Sequence, residues 1–174
     1  VQITLPVSLG EALDKLTILD IKLRRIGDER RADVQIEYDA LLQSLKEYVD
    51  KYPYHYRILK DINQTLWDIQ DRFHGKDTSA EDGAVICRQI LLENDRRFRV
   101  KAKVNTLANS ALREQKGYAK KRALVYSHLG LGDMFWMNGA VRYLSTAYDE
   151  VLVVCKRRNA ANATAMYADD PSIK

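Results

Sequence analysis

Ala123-Leu124-Val125-Tyr126-Ser127-His128-Leu129-Gly130-Leu131-Gly132-Asp133 is the stretch on which the fold turns. Its first four residues are apolar without a break and read as a short buried strand. His128 to Asp133 reads as a glycine-spaced loop. Met134 to Tyr148 then reads as a helix, and Glu150 to Cys155, with Val151-Leu152-Val153-Val154, as a second strand. That order is the start of a parallel α/β sheet. A short helix is expected over Asn162 to Tyr167, a turn at Asp169-Asp170-Pro171, and a third strand from Ile173. Continuous apolar strands are usually covered on both faces, and two strands with one or two helices cannot supply that cover. The unit therefore reads as unfinished. It is completed either by a longer chain, the favoured reading, or by a partner across the open sheet, which offers a route to oligomers.

Upstream of this unit the pattern is helical. Val1 to Val7 is apolar and extended, with Pro6 discouraging an earlier helix start. Ser8-Leu9-Gly10-Glu11 reads as a capping box in which Glu11 reaches back to Ser8. Leu9, Leu13, Leu16, Leu19, Leu23 and Ile26 follow at helical spacing, and Gly27 is the stop. A second helix is expected over 30–51, ended by Pro53, and a third over 54–73. A fourth starts near Ser79 or Ala80 and runs to about Leu107, with Val85, Ile86, Ile90, Leu91, Phe98, Val104 and Leu107 as its apolar stripe. Four helices with short links predict an antiparallel bundle or a pair of hairpins. The expected organisation is an α-helical domain over 1–118 and an incomplete Rossmann-like βαβ unit over 119–174.

Composition narrows the functional classes. The 174 residues are 46% hydrophobic and 30% charged, with 8 Gly and 3 Pro, which excludes disordered and collagen-like chains. No apolar run approaches a membrane span of about 20 residues. No signal peptide is legible. Two cysteines, Cys87 and Cys155, make no metal cage or disulfide framework, so a reducing, cytoplasmic setting is expected. His55, His74 and His128 lack metal-ligand spacing, and no metal is expected. The net charge of +4 is local: residues 1–95 carry 13 Lys+Arg against 18 Asp+Glu, residues 96–122 carry 10 against 1, and residues 123–174 carry 5 against 5. The basic run has few aromatics and no recognised nucleic-acid motif, so its expected partners are the acidic front helices rather than nucleic acid.

Two groups of residues are candidates for chemistry. Gly130 and Gly132 expose backbone N–H groups where a helix begins, a place that favours anions. The full dinucleotide fingerprint is not met, because Phe135 stands where its third glycine belongs. Asp133, at the carboxyl end of a strand, is the candidate general base and His128 the weaker one. The competing reading is a tight turn with Asp133 as a helix cap. The second group is a polar face on the helical domain. Asn94, Arg97, Lys101 and Asn105 recur at spacings of three, four and four, with Asp95 and Arg99 as an ion pair beside them. A solvated face is the default for such a stripe, and an anion or glycan surface the functional alternative. Glu11, Lys15 and Lys22, with Asp14 adjacent, line the first helix, and Glu11 and Lys15 read as an i,i+4 pair. On the third helix Trp67 reads as core, and Asp68 and Asp71 as partners for bases on the fourth.

Two resemblances add to this reading. The stretches Leu9-Gly10-Glu11 with Asp14-Lys15, Ile18-Leu19-Asp20-Ile21-Lys22, Leu66-Trp67-Asp68-Ile69-Gln70-Asp71 and Asn94-Asp95-Arg96-Arg97-Phe98 carry the first. With Lys101, Asn105, Ser110, Glu114, Lys116 and Tyr118 they make residues 3–118 resemble an uncharacterised helical family of bacteria and large DNA viruses. That family is a domain of unknown function and implies no activity. Gln70 departs from it, standing where an acidic residue is expected.

The second resemblance rests on Tyr126 to Asp133, Asn138-Gly139 with Val141-Arg142, Lys156-Arg157-Arg158-Asn159, and Tyr167 with Asp169-Asp170-Pro171. These look like the opening of a glycosyltransferase of the two-Rossmann-domain (GT-B) type, similar to heptosyltransferases. The resemblance implies that Asp133 activates the acceptor. It also implies that a nucleotide-sugar donor binds a second domain outside this chain, so that this chain alone is catalytically incomplete and needs no cofactor of its own. The expected function is the front part of a glycosyltransferase for surface glycans or glycoconjugates, with the helical domain positioning acceptor or partner. Its partners are then a glycan acceptor and the missing C-terminal domain. The alternative is a non-catalytic helical binding module.

Overall fold

Ser8 opens the first helix, α1 (Leu9–Arg25), in the computed structural model, and its Oγ accepts the Glu11 N–H at 3.3 Å. The expected capping box is half formed, because the Glu11 carboxylate pairs with Lys101 instead. The structure describes all residues except 1, 2, 75, 77, 118, 128 and 129. They fall into two units, Val1–Arg113 and Glu114–Lys174.

The first unit holds α1, α2 (Arg30–Lys51), α3 (Pro53–Phe73) and α4 (Ala80–Leu107). Pro53 sits in the first turn of α3, where its missing N–H costs nothing, so the proline that stops α2 also starts the next helix. Ser79 caps α4 by accepting the Asp82 N–H at 3.1 Å. At the far end Asn109 takes φ 49°, and Ser110 N–H reaches back to the Asn105 carbonyl at 2.8 Å. This is a Schellman stop, with asparagine tolerating the left-handed conformation.

Leu13 and Leu16 of α1, Leu45 of α2, Leu59, Ile62 and Leu66 of α3, and Val100 and Val104 of α4 form one buried cluster. α1 packs against the other three helices, and α3 pairs with α4. The expected α4 stripe holds only in part. Val85 and Leu91 are exposed, and the deep contacts come from Val100 and Val104 in the second half. Helices α1 and α3 cover one side of α4, and its 28 residues exceed the 17 of α1.

The second unit runs β1 (Arg122–Tyr126), α5 (Leu131–Ala147), β2 (Glu150–Val154), a 3-10 turn (Arg157–Asn159) and α6 (Ala160–Met166). The strands pair in parallel, with Arg122 opposite Glu150 and Tyr126 opposite Val154. Ile173 adds a parallel bridge to Val151, on the expected third-strand position. Val141, Val151, Tyr167 and Ile173 form the core. The expectation of strands buried on both faces does not hold for the described residues. Alternation sends Ala123, Val125, Val151 and Val153 towards that core, while Leu124, Tyr126, Leu152 and Val154 are exposed.

Two aspartates fix the approach to Ile173. Asp170 is buried and accepts the Ser145 hydroxyl at 2.8 Å and the Ser172 hydroxyl at 2.7 Å. Asp169 takes both Arg142 terminal nitrogens, at 3.0 and 2.8 Å. Glu150 bridges Arg122 and Lys174, each at 2.7 Å, and Lys174 foremost holds its carboxyl below the usual glutamate range.

Candidate functional site

The helical unit concentrates its polar side chains where α1, α3 and α4 meet. Gly10 lies so close to α4 that a Cβ there would stand 2.6 Å from the Lys101 carbonyl oxygen. This approach lets the Gly10 N–H donate to Asn105 Oδ1 at 2.7 Å, and Asn105 Nδ2 donates to Ser8 Oγ at 3.2 Å. One turn along, Glu11 pairs with Lys101. A further turn along, Asn63 Nδ2 donates to Asp14 Oδ1 at 2.7 Å and to Thr17 Oγ1 at 2.8 Å. Arg97 donates to Asn63 Oδ1 at 3.2 Å and lies 3.9 Å from Asp14 Oδ2. The contacts rise along α1 as they fall along α4, so these two helices run antiparallel.

This geometry corrects several expectations. The stripe Arg97, Lys101 and Asn105 is no solvated face: Lys101 and Asn105 are buried, Arg97 is half-buried, and all three bind groups on α1 or α3. Asn94 is half-buried and donates to its own helix at the Ile90 carbonyl, 2.9 Å away. Asp95 is half-buried and Arg99 buried on the same helix. Glu11 and Lys15 do not pair with each other; Lys15 reaches Glu37 of α2 at 2.6 Å. Lys22 is half-buried on α1, and Asp71 is exposed. Asp68 pairs with Arg25 of α1 rather than with α4. Trp67 is half-buried and borders an open depression with Gln70, Asp71 and His74, outside the core cluster. The basic run does meet acids on the front helices, through Arg97 with Asp14 and Lys101 with Glu11.

Asn63 and Thr17 escaped the sequence reading. Their signal was present: each sits inside an apolar stripe, Asn63 four residues after Leu59 and Thr17 four after Leu13. A polar side chain there is buried and must find partners. Asp20, legible in the sequence only as part of a family motif, pairs with Lys60 of α3 at 2.6 Å. Burial and the neighbouring Asp20 charge push the Tyr56 phenol above its ordinary range.

In the second unit the expected glycine loop is shorter than its sequence suggests. Gly130 is the N-cap residue of α5, and Leu131, Gly132 and Asp133 already form its first turn. Asp133 is exposed, and its Oδ2 accepts the Gly130 N–H at 2.9 Å. It therefore caps α5, as the competing reading anticipated, from the third helical position. His128 lies outside the described residues. Neither Gly130 nor Gly132 has a positive φ. A Cβ at Gly132 would meet nothing within 4 Å, and one at Gly130 only the Asp133 carboxylate, 3.6 Å away. Among the described residues, neither backbone strain nor packing accounts for the two glycines. They place backbone without side chains at the amino end of a 17-residue helix, the Gly130 N–H being held by Asp133.

Among the described residues no helix is long and apolar enough to cross a membrane, and no three His, Cys, Asp or Glu side chains converge as a metal site. No curated protein and no solved structure matched the chain. A family model did, over residues 3–128, which takes in the whole four-helix unit with its buried polar network and reaches through β1. The chain belongs to that family, described as a family of unknown function (DUF6165).

Proposed function

We propose that this chain is the front part of a cytoplasmic glycosyltransferase, with the second unit as the start of its acceptor-binding Rossmann-like half. The supporting observation is the open amino end of α5. There two glycines that the fold itself does not require stand beside an exposed carboxylate at the carboxyl end of β1. Ligands of parallel α/β sheets bind at that end. In this reading Asp133 takes the proton from the acceptor hydroxyl as it attacks the sugar donor, and Gly130 and Gly132 let the acceptor approach the backbone. The donor half is supplied beyond these residues. The helical unit, held together where Arg97, Lys101 and Asn105 join α4 to α1 and α3, positions acceptor or partner.

The test is Asp133→Asn in the longest protein the gene encodes, with release of nucleoside diphosphate followed across UDP-, GDP- and ADP-linked sugars. An asparagine oxygen can still accept the Gly130 N–H, so the cap and the melting temperature are retained. Loss of the base is expected to slow transfer by about 10²–10⁴-fold. Unchanged transfer in the variant, or no release from any donor by the wild type, would sink the reading and leave a helical binding module.

A further inference from the structure

The last turns of α3 carry a group of side chains that the fold leaves unused. Trp67, Gln70, Asp71 and His74 recur at spacings of three, one and three, so they share one face. Together they line an open depression of about 170 Å³. His74 is the C-cap residue of α3, and its N–H donates to the Gln70 carbonyl at 2.8 Å, which fixes the rim of the depression.

Neighbouring polar side chains of α3 are committed: Asn63 to Asp14 and Thr17, Gln64 to Asp68, and Asp68 to Arg25. In contrast, none of the four side chains around the depression makes a hydrogen bond, ion pair or ring contact among the described residues. Trp67 is half-buried yet stands outside the core cluster. An indole combines a large apolar body with an N–H donor, and here that N–H has no partner among the described residues.

The chemistry of the group selects its ligand. One aromatic ring stands beside an amide and an imidazole, which each donate and accept, and a carboxylate, which accepts. An uncharged pyranose matches this set. The C–H groups on one face of the sugar pack on the indole, and its hydroxyls donate to Asp71 and exchange hydrogen bonds with Gln70 and His74. Other classes fit worse. Asp71 disfavours an acidic group, and a quaternary ammonium is held by a cage of several rings rather than by one. A nucleotide is too large, because pockets that bury a drug-sized ligand run to about 300–1,000 Å³. From this constellation we propose that the depression is a carbohydrate-binding site for a single neutral sugar ring of a glycan. Its use in transfer rests on the positioning role given to the helical unit above. Binding is measured without donor or turnover, so the site and the transferase reading fail separately.

The test uses the full chain with Trp136→Phe, which leaves Trp67 as its one indole. Methyl glycosides of glucose, galactose, mannose and N-acetylglucosamine are titrated to about 50 mM, with Trp67 emission and saturation-transfer NMR of the sugar protons as readouts. At least one glycoside is expected to bind with a Kd of about 1 mM, the range for so small a ligand, while sorbitol, which has no ring face, does not. Asp71→Ala weakens binding at least about tenfold and Gln70→Ala about two- to tenfold. Both positions are exposed, so the circular dichroism spectrum is retained. Arg72→Ala, in the separate groove between α3 and α4, leaves binding unchanged. Absence of binding by every glycoside overturns the proposal. So does equal binding of sorbitol, binding of tetramethylammonium in place of the sugars, or sugar binding that neither Asp71→Ala nor Gln70→Ala weakens.

Discussion

Helices α4 and α5 invert each other. α4 buries Arg99, Lys101, Lys103 and Asn105, while α5 exposes Phe135, Trp136 and Tyr143. Hydropathy alone would assign both helices the wrong way round. For Arg97, Lys101 and Asn105 the partners decide: α1 with its Ser8 cap and α3 bring Glu11, Asp14, Ser8 and Asn63 opposite them, so burial leaves these three paired. On α5 the buried side is carried by Met134, Val141, Ser145 and Thr146, while Phe135 and Trp136 stay exposed. The helical unit thus pairs Arg97, Lys101 and Asn105 across its own helices, whereas the second unit presents apolar surface at Phe135 and Trp136 of α5 and at Leu124 and Leu152 of the sheet. Polar groups paired across helices read as structural, and exposed apolar surface as the part open to partners.

The contrast can be broken by substitution, and the largest effect belongs to the core. Leu16→Ala is expected to lower stability by about 2–5 kcal/mol, because a fully buried leucine leaves a cavity. Leu124→Ala on the open sheet face should stay within about 0.5 kcal/mol. Urea unfolding followed by circular dichroism measures both, and similar costs would mean that the sheet face is covered in solution.

The glycines give the next test. Gly10→Ala must push a Cβ into the Lys101 carbonyl, at a cost of about 1–3 kcal/mol. Gly132→Ala meets open space inside a helix and is expected to be neutral or stabilising by up to about 1 kcal/mol. The same melting experiment therefore separates a glycine required by packing from one that packing does not require. Asn105→Ala should cost about 1–3 kcal/mol, since it strands the buried Gly10 N–H, while Asn94→Ala, which loses only a bond to its own helix, should cost less.

A smaller effect lies at high pH. Tyr56 has a folded pKa raised above its ordinary value near 10, by burial first and then by Asp20. The folded state thus holds this proton more tightly, and its stabilising contribution is complete below pH 10 and lost as the pH climbs beyond it. Absorbance titration at 295 nm should show late-ionising phenols at Tyr38, Tyr56 and Tyr167, each raised first by burial, with Tyr56→Phe shrinking the latest phase. An unchanged latest phase in Tyr56→Phe would assign it elsewhere.

Much of the helical unit was legible because capping and punctuation are local. Ser8, Pro53 and Ser79 fix helix starts through neighbours within three residues, and the bounds of α2 follow from Pro53 and the periodicity. The parallel strand pair was legible from its apolar runs. What was not legible depends on residues far apart in sequence. Lys101 reads as surface until Glu11, ninety positions away, is set opposite it. Leu124 reads as buried until the helices turn out to lie on the other face. At Asp133 the sequence allowed both a cap and a base. The structure places it as a cap, and because that carboxylate remains exposed the two roles do not exclude each other.

The division between a helical unit joined by buried polar pairs and a second unit with exposed apolar surface is most directly tested by native-state hydrogen exchange on the full chain. The account predicts that the Gly10 amide and the α4 amides around 97–105 exchange only with global unfolding, while β1 amides on the free sheet edge and the first turn of α5 exchange faster by orders of magnitude. Uniform protection across both units, or fast exchange at Gly10, would contradict it.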